Sequence, residues 1–390
     1  LADGLQKVLD SGFQAQDYGE HELSEEEIRE SYRELGRLTG LRAVRHTIHG
    51  MCLRATVGLK EFPHRFRDDR LDGLIVDQIV AEAAAVAQQV NLPYVTVCNA
   101  LPVNLTPDVP PVFSRAMPGR GPWSTIRNRL LNALANRLAQ PLMSELNRFQ
   151  RDHHLPEFNR SEQLRSKLAQ ISQIPRSFDF PRKQTAISAH YTGPFHDRDV
   201  RARVDFPWNR LDSRLPLIYA SMGTLQNRIR FVFRSIAEAC RTLPVQLVIS
   251  LGGGAQPSEF ADLPGDPIVV RYAPQLDLLD RAALCVTHAG LNTALESMSR
   301  GVPMLAIPIT NDQPGVAARI QWCGLGRIVP LGRLSANALR HQIQLMLSDD
   351  ECRQNAKAMQ REIELIDGPV MASEIIERAI TTQRPVGPIP

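Results

Sequence analysis

Apolar and polar positions alternate along this chain in blocks rather than singly, and the blocks change period. Leu5 to Leu9 reads as the end of a helix running into Gly12 and an extended FQAQ segment. Polar helical patterns occupy Glu25 to Thr39 and Arg42 to Arg67. DGLIVDQ (Asp72 to Gln78) is a short, nearly continuous apolar run behind turn residues, the profile of a parallel strand covered on both faces. An alanine-rich helix, Ile79 to Gln89, and a second apolar strand, YVTVCNA, complete a βαβ unit. Pro102, Pro107, Pro110, Pro111, Pro118 and Pro122 predict a long loop, and loops of that length are commonly lids or binding loops. Beyond it, Ile126, Leu130, Leu134 and Leu138 at helical spacing predict a helix over Ser124 to Asp152, with Arg127, Arg129 and Arg137 on its other face.

A polar, proline-bearing stretch from Thr192 to Leu215 reads as an interdomain linker. After it the strand–helix rhythm restarts: PLIYASMG, a helix to Leu243, VQLVISLGGG, PIVVRYAP, a helix around LDLLDRA, LCVTHAG, a helix to Arg300, and PMLAIPI. The expectation is an α/β chain of two facing doubly wound parallel sheets, residues 1–200 and 212–390, with a last helix over Met371 to Thr381 that the pattern leaves free to pack anywhere.

Composition narrows the function. With 43% apolar and 22% charged residues and a formal net charge of +3, the chain has the makeup of a globular protein and no basic tail for nucleic acid. Six cysteines stand singly, without metal-ligand spacing, and fit free thiols in a reducing cytoplasm. No apolar run approaches the roughly 20 residues that span a bilayer. The N-terminal LADGLQKVLDSGF carries no signal pattern and opens inside a helix, so a first strand and helix are expected ahead of residue 1.

In open parallel sheets, ligands bind beyond the carboxyl ends of the strands. Those ends here carry Ser221, Gly223 and Thr224; Gly252, Gly253 and Gly254; Ala273-Pro274-Gln275; His288 to Thr293; and Asn311-Asp312-Gln313-Pro314. The fourth group is the most informative. Free backbone N–H groups where a helix opens after His288 and Gly290 make an anion site. The imidazole of His288 and the hydroxyl of Thr293 can donate to phosphate oxygens, and Glu296, one turn on, can accept from a ribose diol. Each element alone has a plainer reading: His288 as a satisfied core histidine, the glycine triplet as a turn, Asp-Gln-Pro as a turn signal, Asp77 as a helix N-cap.

The order of these elements changes that. YAPQ…THAGLNTALESMSRGVPMLAIPITNDQPGVAARI (Tyr272 to Ile320) resembles the nucleotide-sugar signature of the family-one UDP-glycosyltransferases of GT-B fold. The resemblance implies Tyr272 stacked on uracil with Gln275 beside it. It also implies His288, Gly290, Asn292 and Thr293 on the diphosphate with the Ser221–Thr224 loop, Glu296 on the ribose, and Asp312 and Gln313 on the sugar. Tyr272 replaces the commoner Trp, and the interval from APQ to the His is shorter than in plant members. DGLIVDQ, NLPYVTVCNALPVN, LAQISQIPRSFDFPRK and SMGTLQ are similar to stretches of the bacterial zeaxanthin glucosyltransferases, which glycosylate carotenoid hydroxyls.

The resemblance therefore implies inverting transfer of a hexose, glucose by the Asp-Gln ending, from a UDP-sugar to an apolar hydroxylated acceptor. The base would be a His ahead of residue 1, oriented by Asp77. No cofactor or metal is expected, since nothing resembles an Asp-x-Asp motif beside the diphosphate site. Phe113, Met117 and Trp123 of the proline-rich segment are the expected acceptor-pocket residues, and the helix after them could rest on a membrane, although a core helix with a solvated face is the plainer reading. Other readings are transfer to phenols or macrolides, a non-catalytic nucleotide-sugar-binding protein, and a sugar-nucleotide epimerase, which would need acid and base carboxylates not seen placed.

Overall fold

The structure is a computed structural model that describes residues 2–19, 24–68, 70–103, 105–119, 121–183, 186–195, 204–224 and 227–387. In the first half α1 (Ala2–Asp10), α2 (Glu25–Leu35) and α3 (Gly40–Asp68) precede β1 (Leu74–Asp77), α4 (Ala81–Gln89) and β2 (Tyr94–Cys98). The long α5 (Pro122–Asp152), β3 (Gln170–Ser172) and β4 (Ala189–Tyr191) come next. Helix α2 starts where Ser24 and Glu27 form a reciprocal capping box. The four strands lie in the order β1-β2-β3-β4, all parallel.

The second half contains β5 (Leu217–Ser221), α6 (Arg230–Cys240), β6 (Gln246–Ser250), β7 (Ile268–Val270), α7 (Gln275–Leu279) and β8 (Ala282–Thr287). It continues through α8 (Leu291–Ser299), β9 (Met304–Ala306), α9 (Gln313–Trp322), β10 (Gly326–Ile328), α10 (Ala336–Leu347) and α11 (Asp350–Glu364). Its parallel sheet has the order β10-β9-β8-β5-β6-β7. The chain therefore leaves β5 in one direction for β6 and β7 and returns to its other side with β8, a topological switch. Apolar clusters cover both faces of this sheet. One of them runs on into the first half, where Leu101, Val112, Ile174 and Phe178 join Leu291, Ala317 and Met359.

Three departures from the sequence pattern have physical causes. Strand β1 is not covered on both faces: Ile75 is 62% exposed, because β1 lies at one end of the sheet order. Asp77 does not cap α4; its Oδ1 accepts from the Ile79 N–H at 2.9 Å, and the N-cap is Val80. The last helix, α12 (Gly368–Thr382), crosses the expected division at residues 200–212 and packs Ala372, Ile375 and Ala379 against Val95, Ala169 and Ile171 of the first sheet. Of the expected linker, residues 196–203 lie outside the described residues, and Phe206, Trp208 and Leu211 pack against the second-half core.

A buried carboxyl sits between α3 and α4. Glu82 is buried, and burial pushes its carboxyl up to about 7 despite an opposing bond from its own main chain and the nearby Arg54. A raised acid stabilises the fold below its unfolded pKa and loses that contribution as pH rises through the folded value. Stability should therefore decline from about pH 4.5 to about pH 7, and Glu82→Gln should recover about 3 kcal/mol above pH 7. Urea unfolding of both proteins at pH 5 and pH 8 checks this; equal midpoints at pH 8 would refute it.

Candidate active site

The switch point lies between β5 and β8, where Ser221 is in register with Thr287. Just beyond, the chain turns twice through left-handed backbone, at Gly223 (φ +71°) and at Ala289 (φ +63°). The His288 imidazole fills the space between the two turns. A Cβ on Gly223 would lie 2.5 Å from its Cε1, and one on Gly290 2.4 Å from its Nε2. Glycine is required at both positions by this close approach. Only 9% of His288 is exposed, and its enclosed Nδ1 has no well-aligned hydrogen bond among the described residues. Burial drives its pKa down to about 4, weakly opposed by the Ser221 main chain, so the imidazole is neutral at neutral pH.

Helix α8 opens at Gly290, which offers no side-chain cap. The first N–H to bond back is that of Ala294, to the Gly290 carbonyl at 3.0 Å. The N–H groups of Leu291, Asn292 and Thr293 therefore lack intrahelical partners beside His288, at the positive end of the helix dipole. One turn on, the buried Glu296 accepts from Gln275 Nε2 at 2.6 Å. The Tyr219 hydroxyl donates to Gln275 Oε1 at 2.8 Å, and Thr293 Oγ1 lies 3.5 Å from Gln275 Nε2. Tyr219 was not marked by sequence reasoning, being one apolar-looking position inside LIYAS.

The glycine triplet is a turn, and it is also a packing surface. A Cβ on Gly252 would meet the Gly223 carbonyl oxygen at 2.0 Å, and one on Gly253 would meet the Tyr272 hydroxyl at 2.0 Å. The loops after β5, β6 and β7 thus touch, and Tyr272 stands half-exposed against them. Asn227 ties the first two together by donating to the carbonyls of Thr224 (3.2 Å) and Gly252 (2.9 Å). Thr224 itself is exposed.

Asp312 and Gln313 come directly after the left-handed Asn311 (φ +55°). Gln313 Oε1 accepts from the N–H groups of Ile309 (2.9 Å) and Thr310 (3.0 Å) and so braces the loop. Asp312 Oδ2 accepts from the Leu101 N–H of the first half at 3.1 Å. Burial raises the Asp312 pKa, against that hydrogen bond and the nearby Arg319.

Asp77, at the carboxyl end of β1, is connected to this site. Its Oδ2 accepts from Asn99 Nδ2 at 2.7 Å. Gln173 Nε2 in turn donates to the Asn99 carbonyl (2.6 Å) and to Asn292 Oδ1 (3.0 Å), bridging the two halves. Gln173 comes directly after β3, so the strand-end rule could have found it. Of the expected acceptor-pocket residues, Phe113 packs against the shared core and Met117 against Val109, Phe180 and Ala318. Trp123 stands apart from both, 80% exposed in the first turn of α5.

All six cysteines are free, and among the described residues no cluster of three metal-ligating side chains occurs. No described helix is long and apolar enough to cross a membrane. A cavity of about 560 Å³ lined by Arg300, Arg353, Lys357 and Arg361 sits at the amino end of β8, the end opposite His288.

Comparison with known proteins agrees with this arrangement. The family model described as UDP-glucoronosyl and UDP-glucosyl transferase matches residues 10–370. A zeaxanthin glucosyltransferase of Pantoea ananas is 33% identical over 84% of this chain and 76% of its own length. Another, of Pseudescherichia vulneris, is 33% identical over 80% and 74%. Among solved structures, a calicheamicin glycosyltransferase superposes with a TM-score of 0.70 at 18% identity, covering 97% of this chain and 89% of that one. The glycosyltransferase VinC in complex with dTDP gives 0.67 at 19% identity, covering 98% and 91%. Two parallel-sheet α/β halves, a ligand-ready switch point between β5 and β8 and a family match over most of its length place the chain among the UDP-glucoronosyl and UDP-glucosyl transferases, as a glycosyltransferase of GT-B fold.

Proposed function

We propose that the chain transfers a hexose, glucose in the first instance, from a UDP-sugar to a hydroxyl of an apolar acceptor of the carotenoid class. The observation that carries the donor half is the His288 imidazole, seated between Gly223 and Gly290 beside unpaired N–H groups of α8. The carotenoid half is supported by the two zeaxanthin glucosyltransferases, similar over most of this chain.

In this reading the diphosphate lies against His288, Asn292, Thr293 and the Ser221–Thr224 loop. Tyr272 stacks on uracil, Gln275 sits beside the base, and Glu296 exchanges its bond from Gln275 for one from the ribose. Asp312 and Gln313 contact the sugar. A base imidazole held by Asp77 takes the acceptor's proton as its oxygen attacks the anomeric carbon and UDP leaves, with inversion. Neutral His288 and the helix N-terminus stabilise the charge growing on the leaving diphosphate. Phe113 and Met117 are proposed to meet the acceptor. Peripheral contact with a membrane belongs to the same reading, because a long apolar acceptor resides in a bilayer.

The test supplies the native-length protein with UDP-glucose and zeaxanthin in detergent, products being separated by chromatography and mass. A hexose-bearing carotenoid is the expected result. UDP release only with phenols or macrolides would sink the carotenoid half, and no turnover with any acceptor would leave a nucleotide-sugar-binding protein.

A further inference from the structure

A surface helix ordinarily turns its apolar stripe inward. The first half of α5 does the opposite. Trp123, Ile126, Leu130 and Leu134, spaced as one helical stripe, are all exposed, Leu130 by 68%. The inward face carries Asn128 and Asn132, both buried. Their amide groups donate to the carbonyls of Pro107 (3.0 Å) and Leu105 (2.8 Å) in the proline-rich loop. Rolling the helix to hide its leucines would break these bonds and bury unpaired amides, so the exposure is built in. Beyond Pro141 the helix reverts to the ordinary arrangement, with Leu142, Leu146 and Phe149 buried.

Charge identifies what this face meets. Lys and Arg total 45 against 42 Asp and Glu in the whole chain, yet residues 109–144 hold five arginines and no carboxylate. Arg129 and Arg137, on α5 itself, are exposed and paired with no carboxylate among the described residues. Arg127 is tied to the Met117 carbonyl at 2.8 Å. A second copy of the chain would set these arginines against one another across a twofold axis, with no acid in the span to relieve them. An apolar stripe tipped by a Trp and flanked by unpaired arginines suits the headgroup region of an anionic bilayer, apolar side chains among the acyl chains and guanidiniums at the phosphates.

We propose that the first half of α5 docks on an anionic lipid surface. The inference rests on the apolar-acceptor reading for its purpose, since it would bring the cleft to a membrane-dissolved substrate, but its test is independent of turnover. Flotation with phosphatidylcholine vesicles, with and without phosphatidylglycerol, should show binding about tenfold tighter when the anionic lipid is present and weakening with salt. Ile126→Ser with Leu130→Ser, and separately Arg129→Glu with Arg137→Glu, should each abolish that preference, with UDP binding by calorimetry unchanged as the check on folding. Vesicle binding equal to wild type in both double variants would overturn the proposal. So would no binding by the wild type, or a dimer in solution that the serine variant dissociates. Failure of the acceptor reading would show elsewhere, as no hexosylated product from detergent-dispersed carotenoid.

Discussion

His288→Ala is expected to lower kcat of sugar transfer by about 10²- to 10³-fold, the usual loss when one fixed donor to a developing anion is removed. The position of the ring is the reason. Gly223 and Gly290 hold it from two sides, so it does not reorganise as charge grows on the diphosphate. Its pKa of about 4 keeps it a neutral donor at working pH. Binding of ground-state UDP-sugar should change much less than kcat, because the N–H groups of α8 remain. His288→Asn, which restores a donor of smaller reach, should fall between. The same residue has a signature in stability. Its folded pKa lies below the unfolded value of about 6.5, so the contribution of the neutral ring is lost as pH falls from about 6.5 towards 4, at up to about 3 kcal/mol. The alanine variant should lack that slope. A kcat within threefold of wild type would remove His288 from the proposed chemistry.

The features legible in the sequence are those whose cause is local. A run such as LIYAS or LVIS declares a buried parallel strand through its own composition, and the glycines and His288 declare strand-end loops through their order. The fold class and the residues gathered at the switch point were readable for that reason. Contacts between residues far apart in the chain were not. Asn128 and Asn132 look like polar surface positions in a leucine-bearing helix, and only the carbonyls of the loop before them make inward placement favourable. Helix α12 reads as amphipathic against anything, and its partner is the first sheet, over 200 residues earlier in the chain. Gln173 and Asn99 read as loop residues until the two halves face each other. The same holds for Asp312, whose reach to the Leu101 N–H exists only across the cleft.

The strongest of these long-range contacts is the basis of the largest expected change in stability. Asp179→Ala should destabilise the fold by about 3–5 kcal/mol, the range for removing one partner of a buried ion pair. Arg319, from α9, donates to Asp179 Oδ1 from Nε (2.9 Å) and Nη2 (2.7 Å), and both side chains are 1% exposed. Arg182 Nε (2.9 Å) and the Tyr191 hydroxyl (2.7 Å) donate to Oδ2. Burial alone would raise this carboxyl, but Arg319, Arg182 and Tyr191 together outweigh it and hold the pKa at about 2. Without the carboxylate two enclosed guanidiniums lose their directly hydrogen-bonded counter-charge, leaving Arg319 only the nearby Asp312 and Arg182 only Asp108. Adding Arg319→Met to Asp179→Ala should recover only part of the loss, because Arg182 remains. The sign with pH is opposite to that of Glu82: the Asp179 contribution is complete above the unfolded value of about 4 and disappears as pH falls towards 2. Activity should fall with stability even where the variant stays folded, since α9 begins at Gln313 and its N-cap is Asp312. Loosening Arg319 would free the helix that carries the proposed sugar contacts from the half that carries Asp77. An unfolding free energy from urea titration within about 1 kcal/mol of wild type would mean that water reaches the guanidiniums and that the two halves are held by their other contacts.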